Sequence, residues 1–315
     1  MKLSLVVPCY NEQNNVLPFY EACRKSFDGK DYEYEIIFIN DGSKDETWIK
    51  LKSIYERANN IKLVNFSRNF GKESAMYAGL QRADGDYVTI IDADLQQRPE
   101  LVNDMIVFLE ANPGYDAVAL YQEKRNEGRI ISGLKNLFYK IANKYLEVDF
   151  KAGASDFRTF RKAVVNAVLS LTEYHRFSKG IFSWVGFNTY YMPYIAQKRN
   201  AGNTSWSFLK LFKYACRGFT AFSTFPLRLA TIAGALSSLF SLIYIFVVLF
   251  EHWFMHIQPP GYATIVFLVL FIGGIQLIML GIIGEYISQI FIESKRRPIY
   301  IEKEYLTKEN VDNKI

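Results

Sequence analysis

Two long segments in the last third of the chain carry no charged residue, and they constrain the fold more than any other feature. One runs from Leu229 to Phe250 and the other from Ile257 to Gly284. A helix needs about 20 consecutive apolar residues to cross the hydrocarbon core of a bilayer, and both segments are long enough. Helices in a soluble core rarely lack charge on every face over this distance. The sequence therefore predicts two transmembrane helices, at about 229–250 and 262–284.

Basic residues around these segments predict their orientation. The link from Glu251 to Tyr262 has no Lys or Arg. The flanks are basic, with Lys210, Lys213, Arg217 and Arg228 before the pair and Lys295, Arg296 and Arg297 after it. Because Lys and Arg accumulate on cytoplasmic flanks, both ends of the pair are expected in the cytoplasm. Met1-Lys2 leads directly into a strand-like run, so no signal peptide is expected and the preceding residues should remain there.

Composition disfavours several classes of protein. The formal net charge is +5, and the basic residues near the apolar segments fit anionic lipid better than nucleic acid. Cys9, Cys23 and Cys216 are scattered and lack metal-ligand spacing, which indicates a reducing compartment and no disulfide framework. No Gly-x-Gly-x-x-Gly or Walker sequence follows a strand-like run, so a dinucleotide dehydrogenase or P-loop enzyme is disfavoured.

The part of the chain before the apolar pair alternates between strand-like and helix-like segments. Apolar runs predict strands at Leu3–Val7, Glu35–Ile39, Lys62–Phe66, Tyr87–Ile91 and Ala117–Leu120. Helical segments begin near Asn14, Lys44, Lys72 and Pro99. For the second of these helices, Ser43 followed three residues later by Glu46 predicts a capping box. The alternation predicts a parallel α/β fold.

An acidic pair, Asp92 and Asp94, directly follows the fourth predicted strand. Residues i and i+2 of an extended segment point to the same side, so both carboxylates can face one ligand. Ligands of α/β sheets bind outside the carboxyl ends of the strands, where this pair falls. Oxygen ligands suit Mg²⁺ or Mn²⁺, which bind through one or two carboxylates together with substrate phosphates. The pair predicts a divalent metal that holds a phosphate; a solvated acidic turn is the alternative.

Several short motifs occur in a characteristic order along nearly the whole chain. The first half contains Val7-Pro8-Cys9-Tyr10-Asn11-Glu12, Asn40-Asp41-Gly42-Ser43, Phe66-Ser67-Arg68-Asn69-Phe70-Gly71-Lys72-Glu73 and Asp92-Ala93-Asp94-Leu95-Gln96. The second half contains Asp156-Phe157-Arg158, Phe177-Ser178-Lys179-Gly180, Trp184-Val185-Gly186-Phe187, Arg199-Asn200-Ala201-Gly202 and Phe225-Pro226-Leu227-Arg228. Together they resemble the family 2 glycosyltransferases of the GT-A fold, and specifically the polyprenyl-phosphate glycosyltransferases related to bactoprenol glucosyltransferase and dolichol-phosphate mannose synthase.

The resemblance implies roles for residues at the donor site. Those that would hold the uracil and ribose of a UDP-sugar are Pro8, Tyr10, Asn11, Glu12 and Asp41. Asp94 with Gln96 would bind the metal, Mg²⁺ or Mn²⁺, and Asp92 would contact the nucleotide or support the ion. Solvated loop charges are the alternative for Glu12 and Asp41, and a partly buried aromatic ring is the alternative for Tyr10. Gln97-Arg98 departs from the His or Asp followed by Pro that many relatives have.

The resemblance also implies an acceptor site. Asp156 would lie nearest the reacting groups, either taking a proton from a monoanionic phosphate or orienting the acceptor; a structural pair with Arg158 is the alternative. The acceptor phosphate would be contacted by Arg125, Arg129 and Ser132, and Arg199 would close over the diphosphate. Arg suits bidentate phosphate binding, although a solvated surface charge is the alternative for each Arg.

Four regions are predicted along the chain. Residues 1–205 are expected to form a cytoplasmic GT-A domain, 206–226 an amphipathic helix in the membrane interface, 227–294 the two transmembrane helices, and 295–315 a cytoplasmic tail that is polar from Glu302 to Ile315. A further helix is predicted from Arg129 to Leu146, between the nucleotide site and the membrane. A plain core helix is the alternative for 206–226.

The function implied is inverting transfer of a sugar from a UDP-sugar to undecaprenyl or another polyprenyl phosphate, for cell-envelope glycosylation. Glucose and N-acetylglucosamine are favoured, and GDP-mannose is an alternative donor. A processive polysaccharide synthase is disfavoured because its Gln-x-x-Arg-Trp motif and additional spans are missing. A non-catalytic membrane adaptor is the rival of another class, since Gly273, Gly274, Gly281 and Gly284 would allow close helix packing. A homo-oligomer is compatible with a single hairpin.

Overall fold

The computed structural model divides the chain into two units. Residues 1–122, 153–195, 223–250, 253 and 261–308 are described. One unit comprises Met1–Phe212 with Pro298–Ile315, and the other comprises Lys213–Arg297. The predicted helix at 129–146 lies outside the described residues, as does the predicted interfacial helix as far as residue 222.

Four parallel strands form the centre of the sheet in the first unit. They are β1 (Lys2–Cys9), β2 (Glu33–Asn40), β3 (Ile61–Phe66) and β4 (Tyr87–Ile90), in the lateral order β4-β1-β2-β3. The helices that follow them are α1 (Val16–Phe27), α2 (Thr47–Arg57), α3 (Lys72–Arg82) and α4 (Leu101–Ala111). These strands are buried along nearly their whole length, which is why their sequences are nearly continuous apolar runs. The core lies around β1 and β2.

Three strands beside β4 make the sheet mixed. They are β5 (Ala117–Gln122), β6 (Ala154–Arg161) and β7 (Thr189–Tyr194), and the short helices α5 (Lys162–Ser170) and α6 (Ser178–Trp184) lie between the last two. β6 pairs antiparallel with both β4 and β5, and β7 pairs parallel with β5. The five predicted strands, β1 to β5, therefore all run in the same direction, as expected, and the antiparallel β6, which was not predicted, makes the sheet mixed. β6 follows β5 in the chain but lies between β4 and β5 in the sheet, an arrangement that the sequence of elements along the chain does not reveal.

The predicted start of α2 is wrong. The helix begins at Thr47, whose backbone N–H donates to Asp45 Oδ1 at 3.0 Å. The hydroxyl of Ser43, expected to cap the helix, instead accepts the backbone N–H of Asn11 at 2.9 Å. A tertiary contact between two loops thus replaces the predicted capping box.

A strand after the second apolar segment completes the first unit. β8 (Glu302–Leu306) pairs antiparallel with β3 at the edge of the sheet. Arg82 Nη2 lies 3.0 Å from Glu302 Oε2, and the ring of Tyr300 stacks on that of Phe66 with the centroids 4.8 Å apart. The prediction of a cytoplasmic tail at 295–315, polar from Glu302 onward, missed this strand, because its residues are too polar to indicate a strand without the partner they pair with.

The second unit contains two long apolar helices, α7 (Phe225–Phe250) and α8 (Tyr262–Ser294). The spans long and apolar enough to cross a membrane are Phe225–Val247 and Phe267–Ser294, and neither is buried inside the described structure. Phe246 and Leu277, for example, are 69% and 71% exposed. Apolar surface of this extent excludes helices of a soluble core and indicates a membrane-associated protein.

The two apolar helices contact each other. A Cβ atom at Gly234 of α7 would lie 3.9 Å from Met279 Cε of α8. The hydroxyl of Tyr286 donates to the backbone oxygen of Ser223 at 2.6 Å. The glycines proposed for oligomerisation face elsewhere, since no described atom lies within 4 Å of a Cβ placed at Gly273, Gly274, Gly281 or Gly284.

Candidate active site

The loops that follow β1, β2 and β4 lie along one edge of the sheet, because these parallel strands end side by side. Asp41 N donates to Cys9 O at 2.9 Å, and Ile91 N donates to Val6 O at 3.0 Å. The pairing therefore continues one residue beyond β2 and β4. It fixes the backbone of Asp41 and of the residue that precedes Asp92.

Side chains join the loop after β1 to the loop after β2. Asn11 N donates to Ser43 Oγ at 2.9 Å, and Lys44 N donates to Asn11 Oδ1 at 2.9 Å. Glu12 N donates to Thr47 Oγ1 at 2.8 Å. Asn11 adopts a φ of 55°, a left-handed conformation in which Asn is enriched. Asn11 therefore builds this edge of the site, and its contact with a nucleotide stays a prediction.

Pro8, Tyr10 and Glu12 border the same edge. Pro8 lies in β1 in register with Ile39, and the ring of Tyr10 is 42% exposed. Glu12 Oε2 accepts a hydrogen bond from Asn15 Nδ2 at 2.6 Å, just before α1. Tyr10 is thus exposed at this edge, and Asn15 orients the Glu12 carboxylate. Their roles toward uracil and ribose stay predictions.

Asp41 is 3% exposed, and its carboxylate accepts hydrogen bonds from the loop after β3. Phe70 N donates to Oδ1 at 2.6 Å, Gly71 N donates to Oδ2 at 3.0 Å, and Asn69 Nδ2 donates to Oδ2 at 3.0 Å. Burial raises the pKa of Asp41 to about 6, and the backbone donors oppose that rise. At neutral pH the ionised carboxylate therefore holds the loop that leads into α3.

Gly42 explains why the motif around Asp41 contains glycine. Its φ is 63°, and an added Cβ would lie 2.3 Å from the backbone carbon of Arg68 and 2.5 Å from Asn69 N. Only a residue without a Cβ allows the loops after β2 and β3 to approach this closely. Gly42 thus permits the contacts that Asp41 makes.

Lys72 joins two acidic side chains of the site. Its Nζ lies 2.7 Å from Asp92 Oδ1 and 2.9 Å from Asp92 Oδ2. It also lies 3.2 Å from Asp156 Oδ2, a group carried by β6. The antiparallel insertion of β6 beside β4 therefore brings Asp156 to the acidic pair. The sequence prediction that these carboxylates share one site is consistent with this geometry.

Asp94 is the more enclosed carboxylate of the acidic pair, at 6% exposed. Gln96 N donates to Asp94 Oδ1 at 3.1 Å across a tight turn. Leu95 at the turn has a φ of 58°, which is uncommon for a residue other than glycine. Strained backbone of this kind persists where the surroundings fix it, often at functional sites.

Gln97 connects the acidic pair to β6 through hydrogen bonds. Its side chain is mostly buried: Oε1 accepts the backbone N–H of Asp92 at 3.4 Å, and Nε2 donates to Ser155 Oγ at 3.2 Å. Ser155 Oγ in turn accepts the backbone N–H of Phe157 at 2.8 Å. Gln97 therefore joins the loop that contains Asp92 to the strand that carries Asp156.

Asp156 is surrounded by positive charge. Burial raises its pKa, but Lys72 and Lys179 outweigh that effect and hold the pKa at about 2. Arg158 points elsewhere, with its guanidinium over the ring of Phe182 at 5.0 Å. The ion pair of Asp156 is therefore with Lys72, and the structure does not favour the alternative of a structural pair with Arg158.

Glu73 links α3 to α6. Ser178 N donates to Glu73 Oε2 at 2.9 Å, and the hydroxyl of Ser178 donates to the same oxygen. This contact fixes the start of the helix that carries Lys179. Consecutive residues of α3 thus serve the site in two ways, since Lys72 contacts its carboxylates and Glu73 anchors a neighbouring helix.

Four residues contribute to the site although the sequence did not predict a role for them: Lys72, Glu73, Gln97 and Lys179. Each lies within or next to one of the family motifs, and this position beside recognised residues was the only indication of a role in the site. Charge alone gave no reason to select them, because a Lys or Glu at the start of a helix is usually solvated. Arg125, Arg129, Ser132 and Arg199 lie outside the described residues, and their roles stay predictions.

The acidic pair fits a hard divalent cation. Asp92 and Asp94 offer carboxylate oxygens, the ligands that Mg²⁺ and Mn²⁺ prefer. An ammonium group already contacts both oxygens of Asp92, which shows that cations are attracted to this position.

Two family models match the chain. The model of glycosyl transferase family 2 matches residues 4–169, and the model of the GtrB C-terminal hairpin matches residues 225–290. The first match contains Asp41, the acidic pair and Asp156. The second contains α7 and most of α8. The resemblance drawn from the motifs is therefore confirmed.

Curated relatives match over nearly their whole lengths. The chain is 42% identical over 312 residues to the putative glycosyltransferase CsbB of Bacillus subtilis, covering 99% of this chain and 93% of that protein. It is 40% identical over 304 residues to the bactoprenol glucosyl transferase of Shigella phage SfV, covering 96% and 98%. A prophage bactoprenol glucosyl transferase homolog of Escherichia coli is 38% identical, with 96% and 99% covered. The chain belongs to glycosyl transferase family 2, as a membrane-associated glycosyltransferase of the GT-A fold with a GtrB C-terminal hairpin.

Proposed function

We propose that this enzyme transfers a sugar, with inversion at the anomeric carbon, from a UDP-sugar to a polyprenyl phosphate such as undecaprenyl phosphate. The observation that carries the proposal is the cluster of Asp92, Lys72 and Asp156 at the sheet edge of a chain that also has an apolar hairpin. One chain thus provides a polar site for a nucleotide sugar and a membrane segment for a lipid acceptor. Relatives named bactoprenol glucosyl transferase support the same acceptor class.

The reaction needs placement more than proton transfer. An oxygen of the acceptor phosphate forms a bond to the anomeric carbon, and the bond from that carbon to the diphosphate oxygen breaks, so the electron pair leaves with UDP. The attacking oxygen is already ionised at neutral pH, and a strong general base is not required. Holding the two reactants in line therefore accounts for much of the rate.

Asp156 serves this reaction as a fixed anion. Its ion pair with Lys72 and its low pKa favour the ionised form throughout the physiological range. A carboxylate of such low basicity accepts a proton poorly. We assign Asp156 to orienting the reactants and Lys72, and not to general base catalysis.

The metal would be held by Asp94 and Gln96, with Asp92 as a further ligand or support. Mg²⁺ and Mn²⁺ both suit these oxygen donors. When bound, the cation would neutralise the negative charge of the departing diphosphate. The turn in which Gln96 N bonds Asp94 Oδ1 orients the carboxylate before any ligand arrives.

The remaining roles follow the resemblance. Pro8, Tyr10, Asn11, Glu12 and Asp41 are proposed to hold the uracil and ribose. Arg125, Arg129 and Ser132 are proposed to bind the acceptor phosphate, and Arg199 to close over the diphosphate. Glucose and N-acetylglucosamine are the favoured sugars, and GDP-mannose is the alternative donor. The lipid-linked product would donate its sugar in cell-envelope glycosylation.

The catalytic unit and both ends of the chain are proposed to lie in the cytoplasm. Lys and Arg flank the hairpin and are missing from the link between its helices. β8 follows α8 in the chain and pairs with β3 of the catalytic unit. The chain therefore returns after the second span to the side on which the catalytic unit lies, as expected for an even number of spans.

Transfer of labelled sugar into an organic phase tests the proposal. Purified full-length protein would be given polyprenyl phosphate and Mn²⁺ or Mg²⁺, with UDP-glucose, UDP-N-acetylglucosamine and GDP-mannose in parallel. We expect a metal-dependent lipid product from one UDP-sugar. The Asp94→Asn variant should lose at least about a hundredfold in rate, because one metal-ligating charge is removed.

Asp104→Asn is the matched control, since Asp104 is an exposed carboxylate on α4. It should retain the wild-type rate. A product formed only from GDP-mannose would replace the proposed donor, and folded protein that makes no lipid product from any donor would support a non-catalytic adaptor.

A further inference from the structure

Lys72 occupies a position that the proposed function does not by itself explain. Its ammonium spans both oxygens of Asp92, at 2.7 and 2.9 Å, and reaches Asp156 at 3.2 Å. The side chain as a whole is 40% exposed, so Lys72 lies at the surface of the site. Its backbone is also fixed, because the preceding Gly71 donates to the Asp41 carboxylate at 3.0 Å. A fixed cation therefore lies in the middle of the proposed donor site.

This cation disfavours a divalent metal that arrives without a phosphate. The ammonium covers the Asp92 oxygens, and a metal at the acidic pair would be repelled by a positive charge only a few ångströms away. A diphosphate changes the balance, because it brings negative charge for both cations. An ammonium has three N–H donors and binds phosphate as a compact charge. Lys72 can thus keep its ion pair with Asp156 while its ammonium exchanges the Asp92 carboxylate for a phosphate oxygen.

On the basis of the proposed function, we infer that Lys72 is a donor-binding residue that exchanges Asp92 for the donor diphosphate when metal and nucleotide bind. Before binding, Lys72 neutralises Asp92 and weakens its affinity for bare metal. After binding, it adds a second positive charge beside the leaving diphosphate. Metal and nucleotide should therefore bind cooperatively, and Lys72 is the residue that couples them.

The Lys72→Met variant of the full-length protein in detergent tests the inference through two binding constants. Mn²⁺ affinity without nucleotide, measured by electron paramagnetic resonance, should rise about tenfold because the competing charge is gone. UDP affinity at saturating Mn²⁺, measured by calorimetry, should fall about tenfold because a charge-assisted hydrogen bond is lost. A residue needed only for folding would weaken both affinities. A rise in Mn²⁺ affinity together with a fall in UDP affinity is therefore specific to the exchange of Asp92 for the diphosphate.

Lys52→Met is the matched control. Lys52 is 41% exposed and forms an ion pair with Glu304 at 3.0 Å, and its helix, α2, carries none of the carboxylates Asp92, Asp94 and Asp156. Both affinities should remain within about twofold of the wild-type values. Lys72→Gln is the second variant, and it should reproduce both changes if the Met variant fails to fold.

Lower affinity for both Mn²⁺ and UDP, or no change in either, in a folded Lys72 variant would overturn the inference. These measurements use only metal and nucleotide. The paired changes can therefore be observed even if the lipid-transfer assay gives no product, in which case the acceptor assignment fails and the inference on Lys72 holds.

Discussion

Single residues of the site combine burial with charge, and Asp41 is the clearest case. Burial raises its pKa from 3.8 to about 6, although two backbone N–H groups favour the ionised form. The same carboxylate fixes the loop that delivers Lys72. A residue first selected as a nucleotide ligand is thus also part of the framework that builds the site.

Asp41 predicts a pH dependence of stability. Between about pH 4 and 6 the native carboxyl keeps a proton that the unfolded chain has released, because its native pKa is the higher one. The contribution of Asp41 to the free energy of unfolding therefore falls as pH rises through this window, by about 3 kcal/mol at most, and is constant above it. Asp41→Asn removes this titration. Thermal unfolding of the full-length protein in detergent should show the wild type losing stability relative to the variant from pH 4.5 to 7.

Asp104→Asn serves again as the comparison, since that carboxylate is exposed on α4. Its unfolding temperature should follow the wild type at every pH. Parallel curves for the wild type and Asp41→Asn would show that Asp41 does not titrate in this window.

At the scale of secondary-structure elements, β8 supports the loop before α3, which borders the proposed donor site. Ser67 N donates to Ile301 O at 3.0 Å, just before β8. The ring of Tyr300 stacks on Phe66, whose ring makes an edge contact with Phe70 at 5.7 Å. The backbone of Phe70 in turn donates to Asp41. A continuous set of contacts therefore joins the segment after the hairpin to the loop before α3.

Tyr300→Ala should weaken both stability and donor binding. Loss of the stacked ring should lower the free energy of unfolding by about 1–2 kcal/mol, since aromatic pairs and half-buried rings contribute in this range. UDP affinity at saturating Mn²⁺ should fall several-fold, because the loop that carries Phe70 and Lys72 loses its support. Thermal unfolding and calorimetry of the full-length protein measure the two effects.

Tyr300→Phe is the matched control. It keeps the ring and removes only the hydrogen bond from the Tyr300 hydroxyl to Gln81 Oε1, at 2.8 Å on an exposed surface. The free energy of unfolding and the UDP affinity should both remain near the wild-type values. Equal behaviour of the Ala and Phe variants would mean that the stacking on Phe66 does not support the loop.

At the scale of the whole molecule, the chain leaves the catalytic unit for the apolar hairpin and then returns to it. Pro298–Ile315 belongs to the same unit as Met1–Phe212, and the hairpin lies between them in sequence. Pairing of β8 with β3 supports the proposal that both ends of the hairpin lie on the same side of the membrane as the catalytic unit.

This arrangement predicts the labelling of single cysteines by a membrane-impermeant maleimide in intact cells. In a Cys216→Ser background, where Cys9 and Cys23 are buried, Gln258→Cys in the link should be labelled from outside. Lys303→Cys, at an exposed position of β8, should be labelled only after the cells are made permeable. Labelling of Lys303→Cys in intact cells would refute the cytoplasmic assignment.

Local sequence signals were sufficient for several features. The two long apolar helices, the strands β1 to β5 and the acidic pair were all predictable, because each depends on the composition or order of a continuous segment. The order of the motifs along the chain was likewise sufficient to identify the family. The physical reason is that apolar length and strand periodicity are properties of neighbouring residues.

The tertiary structure decided what no continuous segment contains. β6 lies between β4 and β5 and places Asp156 beside Lys72, although 84 residues separate them in the chain. Ser43 bonds Asn11 instead of capping α2, and polar β8 becomes a strand only because β3 offers an unpaired edge. Each outcome depends on a partner distant in sequence. The sequence by itself determined which elements form and which chemistry they carry, whereas packing between distant segments decided which charges meet.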